Sequence, residues 1–241
     1  MPSPDRPHRS RRRRWRHVGV IVVALVVVLV AGACGSTDEG STAGTAPEAN
    51  TDALEGLRRD PPLDVSTVVL PEVREGEADQ PFTLVPQPGN LLFVYFGYTH
   101  CPDLCPTTLA DLRKAFRELG PDAARIETAF VTVDPQRDTA SVLPSYLSSF
   151  VDGGHAIRVD DPAALQAAED AFLASSTITP LEDGTYSVSH TAFSSIVDDT
   201  GTVVAEWPFG ISPDSMASDL RILLDETDRD RAGGSSTTAP A

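Results

Sequence analysis

Residues Leu91 to Thr108 constrain the fold more than any other stretch of the sequence. Leu91-Leu92-Phe93-Val94-Tyr95-Phe96 is an unbroken apolar and aromatic run of the length expected of a strand buried on both faces. Gly97 closes it. Cys101 and Cys105 follow four positions apart, and Pro106 behind them suits the first turn of a helix, where a missing N–H costs nothing. From Thr107 the apolar positions Leu109, Leu112, Phe116 and Leu119 recur at helical spacing until Gly120-Pro121 stops them. Two thiols therefore stand where a central strand hands over to a helix, and the helix N-terminus favours thiolate. Thiols one helical turn apart make either a redox couple or two parts of a soft-metal site.

The remaining segments suggest one domain with extensions at both ends. Arg6, Arg9, Arg11 to Arg14 and Arg16 precede an apolar run from Val18 to Val30, followed by Ala31-Gly32-Ala33-Cys34. A basic start, a short apolar stretch and small residues before a cut site form an export signal over residues 1–33. The run from Val18 to Ala33 is shorter than the roughly 20 residues of a spanning helix. Residues 34–60, rich in Gly, Ser, Thr, Ala and Glu, read as a flexible tether. Residues 61–228 form the folded domain, and residues 229–241 a disordered tail.

Within the domain the expected elements are short strands over Thr67–Leu70, Phe82–Val85, Ile126–Val133 and Ala156–Val159. Helices are expected over Ser141–Phe150, from Pro162 to about Leu173 behind an Asp161 cap, and from Pro213 to about Glu226. Ala192–Val197 and Thr202–Trp207 flank Asp198-Asp199-Thr200-Gly201, a hairpin signal. This order predicts an α/β sandwich with a mixed central sheet and a β-hairpin insertion. A strand-to-helix turn holding two cysteines places it in the thioredoxin-like class.

Charge narrows the partners. The chain carries 19 Lys and Arg against 35 Asp and Glu, a formal net charge of −16. Seven of those basic residues and one acid lie in residues 1–33, so export leaves a net charge near −22. Such a surface repels nucleic acid. With three cysteines in all, Cys101 and Cys105 are not a disulfide framework, and a structural zinc site would lack ligands. Two thiolates and one neutral imidazole suit copper. Of the five histidines, His8 and His17 leave with the signal. His100 adjoins Cys101 and points away from it or into solvent, His155 follows Gly153-Gly154 as a surface residue, and His190 stands at a loop-to-strand junction. Spacing alone leaves His190 open as a structural residue or a ligand. Trp207 and Phe209 are expected in the core.

The stretch Phe96-Gly97-Tyr98-Thr99-His100-Cys101-Pro102-Asp103-Leu104-Cys105-Pro106-Thr107-Thr108 closely resembles the signature of the Sco/SenC family, thioredoxin-like copper-binding proteins of cytochrome oxidase assembly. Thr132-Val133-Asp134-Pro135-Gln136-Arg137-Asp138-Thr139, His190-Thr191-Ala192-Phe193 and Pro208-Phe209-Gly210 resemble later family pieces in the same order. The resemblance implies copper held by Cys101, Cys105 and His190. It also implies a membrane-anchored chaperone for the dinuclear copper centre in the copper-bearing subunit of cytochrome c oxidase. Val30-Ala31-Gly32-Ala33-Cys34 resembles a bacterial lipobox, implying lipidation at Cys34 and a place on the outer face of the cell membrane. Two features depart from the family pattern: Ser189 stands where the family usually has an aspartate, and Gly154 to Asp161 lacks a Gly-Leu-x-Gly turn. Arg137 is expected to pair with Asp134 or Asp138 and hold a loop beside the site. Two alternatives use the same cysteines without metal, a thiol-disulfide oxidoreductase and a peroxidase-like enzyme; the latter would need an activating Arg and Thr set that the sequence does not show.

Overall fold

A computed structural model of the chain describes residues 53–234. The expected export signal, Cys34, the start of the tether and the end of the tail lie outside the described residues. In chain order the elements are β1 (Leu57–Asp64), β2 (Val69–Glu72), β3 (Gln80–Thr83), β4 (Leu91–Gly97), α1 (Leu104–Leu119) and a 3-10 turn (Gly120–Arg125). There follow β5 (Ile126–Thr132), α2 (Leu143–Ser148), β6 (His155–Ile157), α3 (Pro162–Ala171), β7 (Ser176–Pro180) and β8 (Tyr186–His190). The chain then runs through β9 (Phe193–Val197) and β10 (Thr202–Pro208) to α4 (Pro213–Gly234).

Eight strands form one mixed sheet in the order β1-β10-β9-β4-β5-β6-β2-β3. The apolar run of β4 sits at its middle with all seven residues buried, parallel to β5 on one side and antiparallel to β9 on the other. Both faces are covered. Phe93 and Tyr95 meet on one face, where Phe93 packs 6.1 Å from the ring of Trp207. Phe96, out of phase with them, packs 5.5 Å from Phe172 at the end of α3. The alternation of a strand thus supplies both halves of the core. Helices α1 and α4 pack against each other, with Leu109, Leu112, Met216, Leu220 and Leu223 all buried.

The sandwich, its mixed sheet and the β9–β10 hairpin match the sequence expectation, and the Asp161 side chain caps α3 by accepting the Ala163 N–H at 3.0 Å. Four details differ. The first strand begins at Leu57, inside the expected tether. Its Arg58, Asp60 and paired prolines carry no strand signal, yet an edge position pairing with β10 tolerates them. Helix α4 continues past Asp228 because Arg125 grips Asp228 at 2.7 Å and Arg231 reaches Asp199 at 2.7 Å. A second, two-stranded sheet, β7 with β8, occupies the stretch before His190. Finally, His155 is not a surface residue: it opens β6, stacks 4.0 Å from Phe82 and places Nδ1 3.0 Å from Glu72.

Candidate metal centre

The turn after β4 is shaped by what Gly97 lacks. A Cβ there would lie 2.9 Å from Cys105 Sγ and 3.0 Å from the Phe130 ring, so the sulfur occupies the space that a side chain would take. Asp138, fully buried, fixes the next residues. It accepts the Thr99 N–H at 3.0 Å, the Thr99 hydroxyl at 2.6 Å and the Thr132 hydroxyl at 2.6 Å. Cys101 is anchored by its own N–H, which donates to the Tyr98 carbonyl at 3.2 Å.

Helix α1 begins at Leu104, three residues ahead of the periodicity seen in the sequence, and its N-cap Asp103 makes no side-chain capping bond. The free Cys105 N–H instead donates to Cys101 Sγ at 3.3 Å. One sulfur therefore accepts an orphan helix amide while the other lies in the helix's first turn. Both thiols are buried and unbridged.

The imidazole arrives from the second sheet. His190 ends β8, opposite Ser176 of β7, and its Nε2 stands 3.4 Å from Cys105 Sγ. Its Nδ1 lies 2.9 Å from the Thr191 carbonyl, which can only accept, so Nδ1 carries the proton and Nε2 presents a lone pair to the sulfurs. Backbone, with no carboxylate from position 189, orients this ring. Tyr95 and Tyr98 meet the ring edge-on at 6.0 Å and 5.7 Å. Burial pulls the His190 pKa below its ordinary value, keeping the imidazole neutral at pH 7.

The same burial acts in the opposite sense on the sulfur. It pushes the Cys105 thiol up to about 12, so desolvation outweighs the helix N-terminus that the sequence suggested would favour thiolate. A bound cation is what would bring this sulfur to the thiolate form. One donor atom from each of Cys101, Cys105 and His190 lies within 4.8 Å of the other two, and this is the one such His, Cys, Asp and Glu group among the described residues. The donors are soft and borderline, and a cleft of about 280 Å³ lined by Tyr98, Pro102, Leu104 and Val188 opens onto Cys101 and His190, with Cys105 buried behind them. Such a set fits a soft cation that must enter and leave.

The surrounding residues divide clearly. His100 is half-exposed, bonds Thr99 Oγ1 at 3.0 Å and stands outside the donor group. Arg137 pairs with Asp134, whose other oxygen accepts the Tyr186 hydroxyl at 2.8 Å, and its guanidinium lies 4.3 Å over the Tyr186 ring. The Asp134 to Thr139 run thus holds the site's loop on one side and the β7–β8 hairpin on the other. Trp207 is buried and donates to Asp219 at 2.9 Å, as a core residue should. Phe209 is exposed, contrary to expectation, because it lies beyond the last paired residue of β10.

Comparison with known proteins agrees with this arrangement. The SCO1/SenC family profile matches residues 76–225. A Stutzerimonas stutzeri protein described as copper-binding is 31% identical over 150 residues, which cover 61% of this chain and 72% of that one. Four Rickettsia SCO2-like proteins are 27–29% identical, with the aligned part spanning 61–66% of their length. Among solved structures, copper-bound ScoI of Bradyrhizobium japonicum is 30% identical with a TM-score of 0.55, covering 64% of this chain and 96% of that one. Yeast Sco1, at 22% identity and a TM-score of 0.57 over 68% of this chain and 98% of that one, shares the fold. The chain belongs to the SCO1/SenC family.

Proposed function

We propose that the protein is an exported, lipid-anchored copper chaperone that carries one copper ion on Cys101, Cys105 and His190. The observation that carries this reading is the meeting of two sulfurs and a neutral imidazole within 4.8 Å, beside a cleft open enough for ligand exchange. The Cys105 thiol, buried and pushed up to about 12, is a poor nucleophile at neutral pH, so the arrangement favours copper over thiol exchange. The recipient proposed is the dinuclear copper centre of cytochrome c oxidase, at the outer face of the cell membrane, with Cys34 as the lipid attachment point; the resemblance of the cysteine stretch and of the Val30–Cys34 stretch to known signatures supports this reading. On this reading the chain binds no nucleic acid, in keeping with its acidic surface.

Copper(I) titration of the reduced full chain, followed by native mass spectrometry, should show one ion per chain. Cys101→Ser, Cys105→Ser and His190→Ala should each remove tight binding, while His190→Ala should leave disulfide exchange by the cysteine pair intact. Undiminished copper affinity in His190→Ala would overturn the three-donor site. Cys34→Ala should release the protein from the membrane fraction, and loss of the protein should lower the copper content of the oxidase.

A further inference from the structure

A second cavity, of about 440 Å³, lies between α3, β6, β7 and the Asp134 loop, and none of the three donor residues lines it. Its apolar walls include Val133, Val159, Leu165 and Ile178. At one wall stands Glu169, which is 2% exposed and whose Oε1 has no hydrogen-bond partner. A buried carboxyl oxygen without a donor is costly, and proteins rarely keep one. The cation already at the cleft, Arg158, makes no bond to it. Arg158 spends its guanidinium on the Asp138 carbonyl at 3.0 Å, the Pro135 carbonyl at 3.0 Å and Asp160 at 2.6 Å. The cleft therefore presents an unpaired carboxyl oxygen to any donor that enters it, in a molecule whose formal net charge is −16.

Its rim limits the form of such a donor. Ser176 and Ile178, alternate residues of β7, face the cavity. β7 pairs with β8 alone, so its other edge has no strand beside it among the described residues. A free strand edge beside a pocket is how extended peptides are bound, with main-chain bonds along the edge and side chains dropped into the pocket.

We propose that this cleft binds an extended segment of a partner protein, which adds to the free edge of β7 and sets a lysine or arginine side chain against Glu169. The volume is ample for one long cationic side chain with an apolar neighbour. The site is separate from the donor group, so the proposal does not depend on the metal carried.

The test is an NMR titration of the reduced full chain with the capped peptide acetyl-Ser-Val-Lys-Val-Ser-amide. Shifts are expected in the β7 amides and around Glu169, with binding weakened at least about tenfold when norleucine replaces the lysine or in Glu169→Gln. Ile178→Arg, which puts a guanidinium on the cleft's own rim, should block the peptide as well and does not disturb the buried carboxylate. The proposal is overturned if the norleucine peptide binds equally well, or if no shifts arise at millimolar peptide. It is likewise overturned if n-butylammonium alone matches the peptide, which would make the cleft a small-cation site with no role for the strand edge.

Discussion

At the scale of single residues the donor group depends on what is held out of its space. Gly97→Ala would force a Cβ to within 2.9 Å of Cys105 Sγ, with Phe130 at 3.0 Å blocking retreat. An overpacked core of this kind costs about 1–3 kcal/mol, and here the displaced atom is a proposed ligand. The expected outcome is a lower urea midpoint together with weaker copper binding; a variant as stable and as tight as the parent would show that the turn has slack. Asp138→Ala removes the fully buried acceptor of three bonds, leaving the Thr99 N–H and the proton of the buried Thr132 hydroxyl without an acceptor. Its loss should cost about 2–3 kcal/mol by chemical denaturation. Much of this was legible in the sequence. Gly97, both cysteines and the Asp134 to Thr139 run stand in a contiguous order that a strand, a tight turn and a helix can explain. The part played by Thr191 was not legible, because a backbone carbonyl leaves no mark on residue identity. Nor was the raised Cys105 pKa, since helix position argues for thiolate and only burial, visible after folding, reverses it.

At the scale of elements, His190 belongs to a small sheet that shares no strand with the large one. What ties this hairpin to the body near the site is the Tyr186 hydroxyl on Asp134, the Arg137 guanidinium over the Tyr186 ring and the Tyr98 hydroxyl on the Val188 carbonyl at 3.2 Å. Tyr186→Phe keeps the ring and removes one bond from the fastening. Copper affinity should fall by about five- to tenfold, the worth of about 1 kcal/mol. The global melting temperature should barely move, because the hairpin adds little to the buried core. An equal loss of stability and affinity would instead mean that the hairpin folds as one unit with the sheet. The hairpin also marks where sequence reading failed. Ser176 to Pro180 alternates only weakly and is mostly exposed, and Tyr186 to His190 alternates cleanly but over five residues of which none is fully buried. A strand with no strongly buried face sends little hydrophobic signal, whereas β4, buried throughout, and β5, buried except at Glu127, were plain.

At the scale of the whole molecule, the sheet's far side is joined by an ionic cluster that should give stability a pH dependence of its own. His155 of β6 lies between Glu72 of β2, at 3.0 Å, and Glu127 of β5, at 3.8 Å, with its ring on Phe82 of the loop-side strand. Burial alone would lower the imidazole's pKa, but the nearby Glu127 carboxylate and the hydrogen bond to Glu72 outweigh it, and the pKa stands above its ordinary value. Glu127 behaves conversely. Burial raises it, but the nearby His155 ring and hydrogen bonds from the Asn90 amide and the Gln87 N–H bring its pKa below the ordinary carboxylate value. The signs then follow. A raised histidine contributes stability that is fully present below its unfolded pKa of about 6.5 and is lost as pH rises through the folded value. A depressed glutamate contributes stability present above its unfolded pKa of about 4.3 and lost as pH falls through the folded value. The two windows overlap between those unfolded values. His155→Gln keeps a polar side chain against Phe82 but cannot take the proton, so parent and variant should differ most near pH 5.5 and converge toward pH 8.5. Urea denaturation of both proteins at the two pH values measures the difference directly. A gap that is the same at both would mean that stacking on Phe82, which does not titrate, is what holds β6 to its neighbours.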